Sequence, residues 1–165
     1  MNIKYFESIT STNEVARDIN KPWTVIVARE QMGGHGKGDA HWYSPEGGLY
    51  FSIILPKTDL RNLETVTILT AFIISKIIKE QFNIEPFIKL PNDIYINNKK
   101  VCGILTQNVV QKEVKHSVIG IGLNTNIDKF PSELNATSLK LETKKEIDNE
   151  FILNLVVKEL KKQFK

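Results

Sequence analysis

Lys89-Leu-Pro-Asn-Asp-Ile-Tyr-Ile-Asn-Asn-Lys-Lys-Val-Cys-Gly-Ile-Leu105 holds two β-type runs within seventeen residues. Ile94 to Ile96 and Lys100 to Thr106 flank Asn97-Asn98, a pair that tolerates the left-handed backbone of a tight hairpin turn. Upstream, Pro91 fixes the chain where the short run Phe87 to Leu90 ends, so Asn92 and Asp93 stand at a rigid strand edge. An amide beside a carboxylate there suits a polar ligand or a metal-bound phosphate; a plain turn has the same composition. Lys100 opens a strand with an apolar interior, which can aim its ammonium into a pocket, whereas Lys99 should face water. Gly103 in mid-strand implies a close approach by another group. Cys102 reads as a small core residue.

The neighbouring segments extend this hairpin into a sheet. Ile3 to Phe6, Thr24 to Ala28, Leu49 to Leu55 and Val114 to Gly122 read as further strands. Ser11-Thr-Asn-Glu14 has capping-box spacing and predicts a short helix running toward Ile19. Leu63 to Phe82 predicts an amphipathic helix with a broad buried face, and Asp148 or Asn149 caps a last helix through Phe164. The expected architecture is α+β: a mixed β-sheet packed by helices, which we place on one side.

Composition narrows the class. The chain has 165 residues, 41% of them hydrophobic, enough for one ordinary domain with a continuous core. A single cysteine excludes a disulfide framework and suits a reducing, cytoplasmic setting. The run Ile68 to Ile78 is too short and too interrupted to cross a bilayer, so no membrane partner is expected. Lys plus Arg number 22 against 19 Asp plus Glu, and the resulting +3 does not demand nucleic acid. Only Arg17, Arg29 and Arg61 are arginines; the other basic residues are lysines.

Six of the nine glycines fall between residues 33 and 48: Gly33, Gly34, Gly36, Gly38, Gly47 and Gly48. Closely spaced glycines let backbone N–H groups approach a phosphate, with Lys37 adding charge and Trp42 a stacking face. The loop matches neither a P-loop nor a dinucleotide fingerprint. His35, Asp39 and His41 lie close together, but their spacing matches no established zinc pattern, so no metal site is expected. Later, Gly120-Ile-Gly-Leu-Asn124 brings a strand to an amide that either holds a ligand or ends the strand.

Taken in order, these pieces closely resemble the catalytic domain of the biotin protein ligases, which has the class II aminoacyl-tRNA synthetase-like fold. The matching segments are Ser11-Thr-Asn13, Gln31, His41-Trp-Tyr-Ser-Pro45, Gly47-Gly-Leu-Tyr-Phe-Ser52, Lys89 to Ile94, Lys100 to Leu105, Gly120 to Asn124 and Ala136-Thr-Ser-Leu139. The resemblance implies ATP-dependent activation of biotin to biotinyl-5′-AMP, with Mg²⁺. Transfer to a lysine of a biotin carboxyl carrier domain would follow. It further implies that Lys100 and Asp93 are catalytic, that Ser11, Thr12, Gln31, Gly34, His35, Lys37, Lys100 and Gly103 meet biotin, and that Lys37, Trp42, Asn92 and Asn124 meet the nucleotide. Alternatives are a lipoate–protein ligase and a non-catalytic biotin-binding relative.

Two departures stand out. The family's loop usually reads Gly-Arg-Gly-Arg-x-Gly-Arg-x-Trp; here His35, Lys37 and Ala40 occupy the arginine places. An ammonium cannot clamp a phosphate with two parallel hydrogen bonds as a guanidinium does, so a loosely held adenylate is expected. In addition, residues 1–165 correspond to the catalytic domain alone. Neither the N-terminal DNA-binding domain of repressor-type members nor the family's C-terminal β-barrel is expected, and no DNA partner with them. Members often pair through a sheet edge, which leaves a homodimer open.

Overall fold

The computed structural model describes residues 2–56, 63–110, 112 and 114–164. In chain order the elements are β1 (Asn2–Ile9), α1 (Thr12–Arg17), β2 (Thr24–Gln31), β3 (Leu49–Ile54), α2 (Leu63–Phe82), β4 (Phe87–Lys89), β5 (Asp93–Ile96), β6 (Lys99–Val110), β7 (Val114–Leu123), α3 (Leu139–Thr143) and α4 (Asn149–Gln163). Among the described residues the seven strands form one sheet in the order β1-β2-β3-β7-β6-β5-β4. β1 and β2 are parallel, joined by a crossover through α1; every other neighbouring pair is antiparallel. Asn97 and Asn98 both take positive φ, 49° and 63°, so the β5–β6 hairpin turns as its sequence predicts.

Alternation along the central strands divides the sheet into two faces. Val25, Val27, Phe51, Ile53, Ile119 and Ile121 join one apolar cluster with the buried sides of α2 and α4. Ile26, Ile54 and Val118 turn the other way and pack with Ala16 of α1. Helices therefore cover both faces, which corrects the expectation of helices on one side. The reason lies in α1: at six residues it is too short to read as a covering layer, yet Ala16 is fully buried.

α1 leaves much of its face of the sheet uncovered, and the space beside it holds the candidate site. α4 starts as expected, with the Asp148 side chain accepting from the Phe151 N–H. α3 has no counterpart among the elements expected from sequence. Its N-cap, Ser138, accepts from Leu141 N–H and donates to Ile127 O, which pins the segment after β7 back toward the sheet.

Ile119 is fully buried at the centre of the larger cluster. Ile119→Ala should lower stability by about 2–5 kcal/mol. In urea unfolding this appears as an earlier midpoint with an unchanged slope; a shift worth under about 1 kcal/mol would show that the core collapses around the gap.

Candidate active site

The floor of the site is bare backbone. On the sheet face away from the large core, β6 presents Gly103 and β7 presents Gly120 and Gly122. A Cβ at Gly103 would lie 2.8 Å from Cζ3 of Trp42, and one at Gly122 would lie 2.3 Å from its Nε1. The indole thus lies directly on the two strands, the close approach that a mid-strand glycine implied. Gly34, expected among the biotin contacts, is buried, and a Cβ there would meet Ser44 Oγ at 2.5 Å.

Between Gly34 and Trp42 the glycine-rich loop folds into a small hairpin lid. Trp42 N–H donates to Gly34 O at 2.8 Å and Gly36 N–H to Ala40 O at 2.7 Å. Gly38 carries the turn with φ +67°.

At the polar end, Ser11 is the N-cap of α1, but its side chain makes no capping hydrogen bond, so the predicted capping box does not form. Gln31 partly replaces it, because its Oε1 accepts from Thr12 N–H at 2.8 Å. The same amide donates through Nε2 to Ser44 Oγ at 3.0 Å, and Ser44 donates to Trp42 O at 3.0 Å. One glutamine therefore ties the helix start to the base of the lid. Beneath it, the Ser52 hydroxyl lies 2.7 Å from Thr12 Oγ1 and 2.6 Å from Asn13 Oδ1. Ser11, Thr12 and Asn13 are each only 4% exposed, which makes this end a fixed array of small polar groups.

The charged end depends on a register shift. Tyr95 pairs with Lys100 but Ile94 pairs with Cys102, so Val101 is an extra residue in β6. Val101 and Cys102 consequently both lie in the core, and Lys100 falls on the cavity face with Gly103. Without the bulge, alternation would turn Lys100 toward α2 and α4. Its Nζ lies 2.8 Å from Asp93 Oδ1 and 5.1 Å from the centroid of the Trp42 ring. Asn92 Nδ2 donates to the same Asp93 oxygen at 3.1 Å. Burial pushes the Cys102 thiol well above its ordinary range, which keeps it an inert core group.

These parts enclose a cavity of about 240 Å³. Ser11, Thr12, Gln31, His35, Lys37, Trp42, Asn92, Asp93, Lys100 and Gly103 of the predicted set line it, and Gly34 does not. A second cavity of about 280 Å³ adjoins it and shares His41, Trp42 and Lys100. Asn124 belongs to this second cavity. It is 3% exposed, its Nδ2 donates to Thr137 O at 3.0 Å, and its Oδ1 has no partner among the described residues. Phe130 and Leu134 complete that wall and were missed from sequence, where each is an isolated apolar residue in a polar stretch. Backbone bonds from Lys100 N–H to Asn135 O and from Thr137 N–H to Lys100 O hold their loop beside β6.

Residues 5–124 match the biotin/lipoate A/B protein ligase family. The chain belongs to this family. Among its relatives is a bifunctional ligase/repressor of Bacillus spizizenii, 36% identical over 172 residues covering 98% of this chain and 53% of the relative. A biotin–protein ligase of Schizosaccharomyces pombe is 29% identical over 75% of this chain and 23% of that protein. Among solved structures, a biotin protein ligase from Aquifex aeolicus, in complex with biotin and ATP, superposes with TM-score 0.90 at 32% identity, covering 99% of this chain and 70% of that one. The chain thus spans about half the length of the Bacillus relatives. The fold of this family member is that of the biotin protein ligase structures, as its α+β sequence pattern predicts.

Because the indole rests on bare backbone, Gly122→Ala should displace Trp42 while leaving the fold cooperative. The expected result is a changed indole fluorescence with ligand binding weakened about tenfold or more. Unaltered binding would mean that the indole position is not needed.

Proposed function

We propose that this chain joins biotin to ATP, forming biotinyl-5′-AMP and pyrophosphate, and then passes the biotinyl group to a lysine of a biotin carboxyl carrier domain. The observation that carries the reading is Lys100, a single cation standing at the boundary of two adjoining cavities. Two anions must meet for the first step, and a fixed ammonium between them lowers the cost of bringing their charges together.

In this reading the first cavity takes biotin. The polar array of Ser11, Thr12 and Gln31 meets the ureido ring, and the glycine floor at Gly103 leaves room along the sheet. The second cavity takes adenine: Trp42 offers its face, and the unpartnered Oδ1 of Asn124 accepts from an exocyclic amino group. Lys37 and Asn92 contact the phosphates. A carboxylate oxygen of biotin attacks the α-phosphorus, and the bond to the bridging oxygen breaks to release pyrophosphate. The carrier lysine's nitrogen then attacks the activated carbonyl, the carbon–oxygen bond to phosphate breaks, and AMP leaves. Asp93, already paired with Lys100, orients the incoming lysine, which attacks as the neutral amine and gives up a proton to solvent as the amide forms. Mg²⁺ would arrive with ATP, on its phosphates.

The family also includes lipoate ligases. Biotin is favoured by the biotin-bound relative at 32% identity and by the seven-residue step from Asp93 to Lys100. We further infer a cytoplasmic location, consistent with one buried, unpaired cysteine. No helix among the described residues is long and apolar enough to cross a membrane. A homodimer would form through β1 or β4, the sheet's two edge strands.

Incubation with biotin and Mg-ATP should give biotin-dependent pyrophosphate exchange, reduced by about 100-fold or more in Lys100→Ala. Lipoate should not compete, and GTP should substitute poorly because its 6-oxo group offers Asn124 Oδ1 no proton. Exchange that follows lipoate instead, or no exchange at all, would overturn the biotin ligase reading in favour of the lipoate or the binding-only alternative. Since His35, Lys37 and Ala40 stand in arginine places, the adenylate should also leave faster than from a homologue with those arginines. An equal half-life would refute that expectation.

A further inference from the structure

At the polar end of the first cavity, four side chains pass hydrogen bonds in one direction, from Thr12 through Ser52 and Asn13 to Gln107. The Asn13 amide lies against the bare backbone of β7: a Cβ at Gly120 would stand 2.8 Å from its Cγ. Its Nδ2 lies 3.4 Å from Leu105 O and 3.0 Å from Gln107 Oε1, both on β6. A backbone carbonyl only accepts, so the amide nitrogen belongs on that side and Oδ1 faces Ser52. Asn13 Oδ1, itself an acceptor only, lies 2.6 Å from Ser52 Oγ, and the single Ser52 proton is committed to it.

That commitment carries through to Thr12. Ser52 Oγ is also 2.7 Å from Thr12 Oγ1, and with its own proton used it can only accept there. Thr12 therefore gives its proton inward and keeps its lone pairs for the cavity it lines. Ser52 is fully buried and Asn13 nearly so, which leaves neither of them water to turn toward. Asn13 also lines the cavity, but its N–H groups are spent on β6.

We infer that Asn13 is a positioning residue for biotin recognition: held by Gln107 and Leu105, it makes the Thr12 hydroxyl an acceptor for a ureido N–H. This rests on the proposed ligase function and deepens it, since Asn13 acts on the ligand through Ser52 and Thr12. A hydroxyl on a cavity wall is ambiguous, because it can turn to give a proton or to take one. Fixing its direction makes the wall selective. A cyclic urea brings N–H groups that such an acceptor meets. A ring oxygen in the same place sets lone pairs against lone pairs, and a dithiolane ring brings no N–H at all.

The test compares, by titration calorimetry at neutral pH, the binding of biotin and of its two cyclic carbamate analogues, in each of which oxygen replaces one ureido N–H. The parent chain should bind the weaker analogue at least about tenfold less tightly than biotin, the cost of opposing a buried acceptor with another. Asn13→Leu frees the Ser52 proton to turn to Thr12, which then turns its own outward, and the ratio should fall below about threefold. Asn13→Asp keeps an acceptor toward Ser52 and should hold the parent ratio even where overall affinity drops. A role confined to packing predicts one ratio throughout, because biotin and its analogues would weaken together. Since Asn13→Leu needs its fold checked by cooperative melting, Ser52→Ala is the independent arm: it leaves Thr12 free to turn either way, and the ratio should again narrow. The inference is overturned by a parent ratio below about tenfold, by an undiminished ratio in Asn13→Leu or Ser52→Ala, or by a collapsed ratio in Asn13→Asp. A parent chain that binds no biotin would be a different failure, that of the ligase reading itself.

Discussion

The contact between the Trp42 indole and the bare backbone of β6 and β7 is the constraint around which the site is arranged. Two strands give up side chains at Gly103 and Gly122, and the ring takes that space. The seated ring then does three things. It ends the lid, separates two cavities, and sets an aromatic face 5.1 Å from the Lys100 ammonium. None of these follows from the tryptophan alone, because a Cβ at either glycine would leave the indole no place to lie.

A second constraint is the extra residue in β6. A strand buried on one face and lining a cavity on the other depends on strict alternation, and one inserted residue reverses it. Val101 supplies that insertion, so the apolar run can feed the core while Lys100, two positions before Cys102, serves the opposite face. The core and the chemistry thus share a single strand. The short α1 is the counterpart on the far side of the sheet: it covers Ile26, Ile54 and Val118, and stops early enough to leave the glycine floor open.

Much of this was legible from the residues. Asn97-Asn98 specified the hairpin, α2 runs from Leu63 to Phe82 as its periodicity predicts, and Gly103 signalled a close approach before its partner was known. What escaped depends on partners distant in the chain. Ser11 and Glu14 have capping-box spacing, yet Gln31, nineteen residues beyond Thr12, meets the helix N-terminus instead. The bulge has no local signature, because Val101 is as good a strand residue as its neighbours. Phe130 and Leu134 line a cavity only because Ser138 and the backbone around Lys100 fold their loop back.

Gln31 has one more effect, on the wall that the two cavities share. Its amide fastens the Thr12 N–H on one side and, through Ser44, the carbonyl of Trp42 on the other. Both feet of the loop are thereby anchored, since Gly34 is hydrogen-bonded to Trp42 as well. His41 and Trp42 wall both cavities, so a single glutamine, remote from the second cavity, helps to set the shape of both.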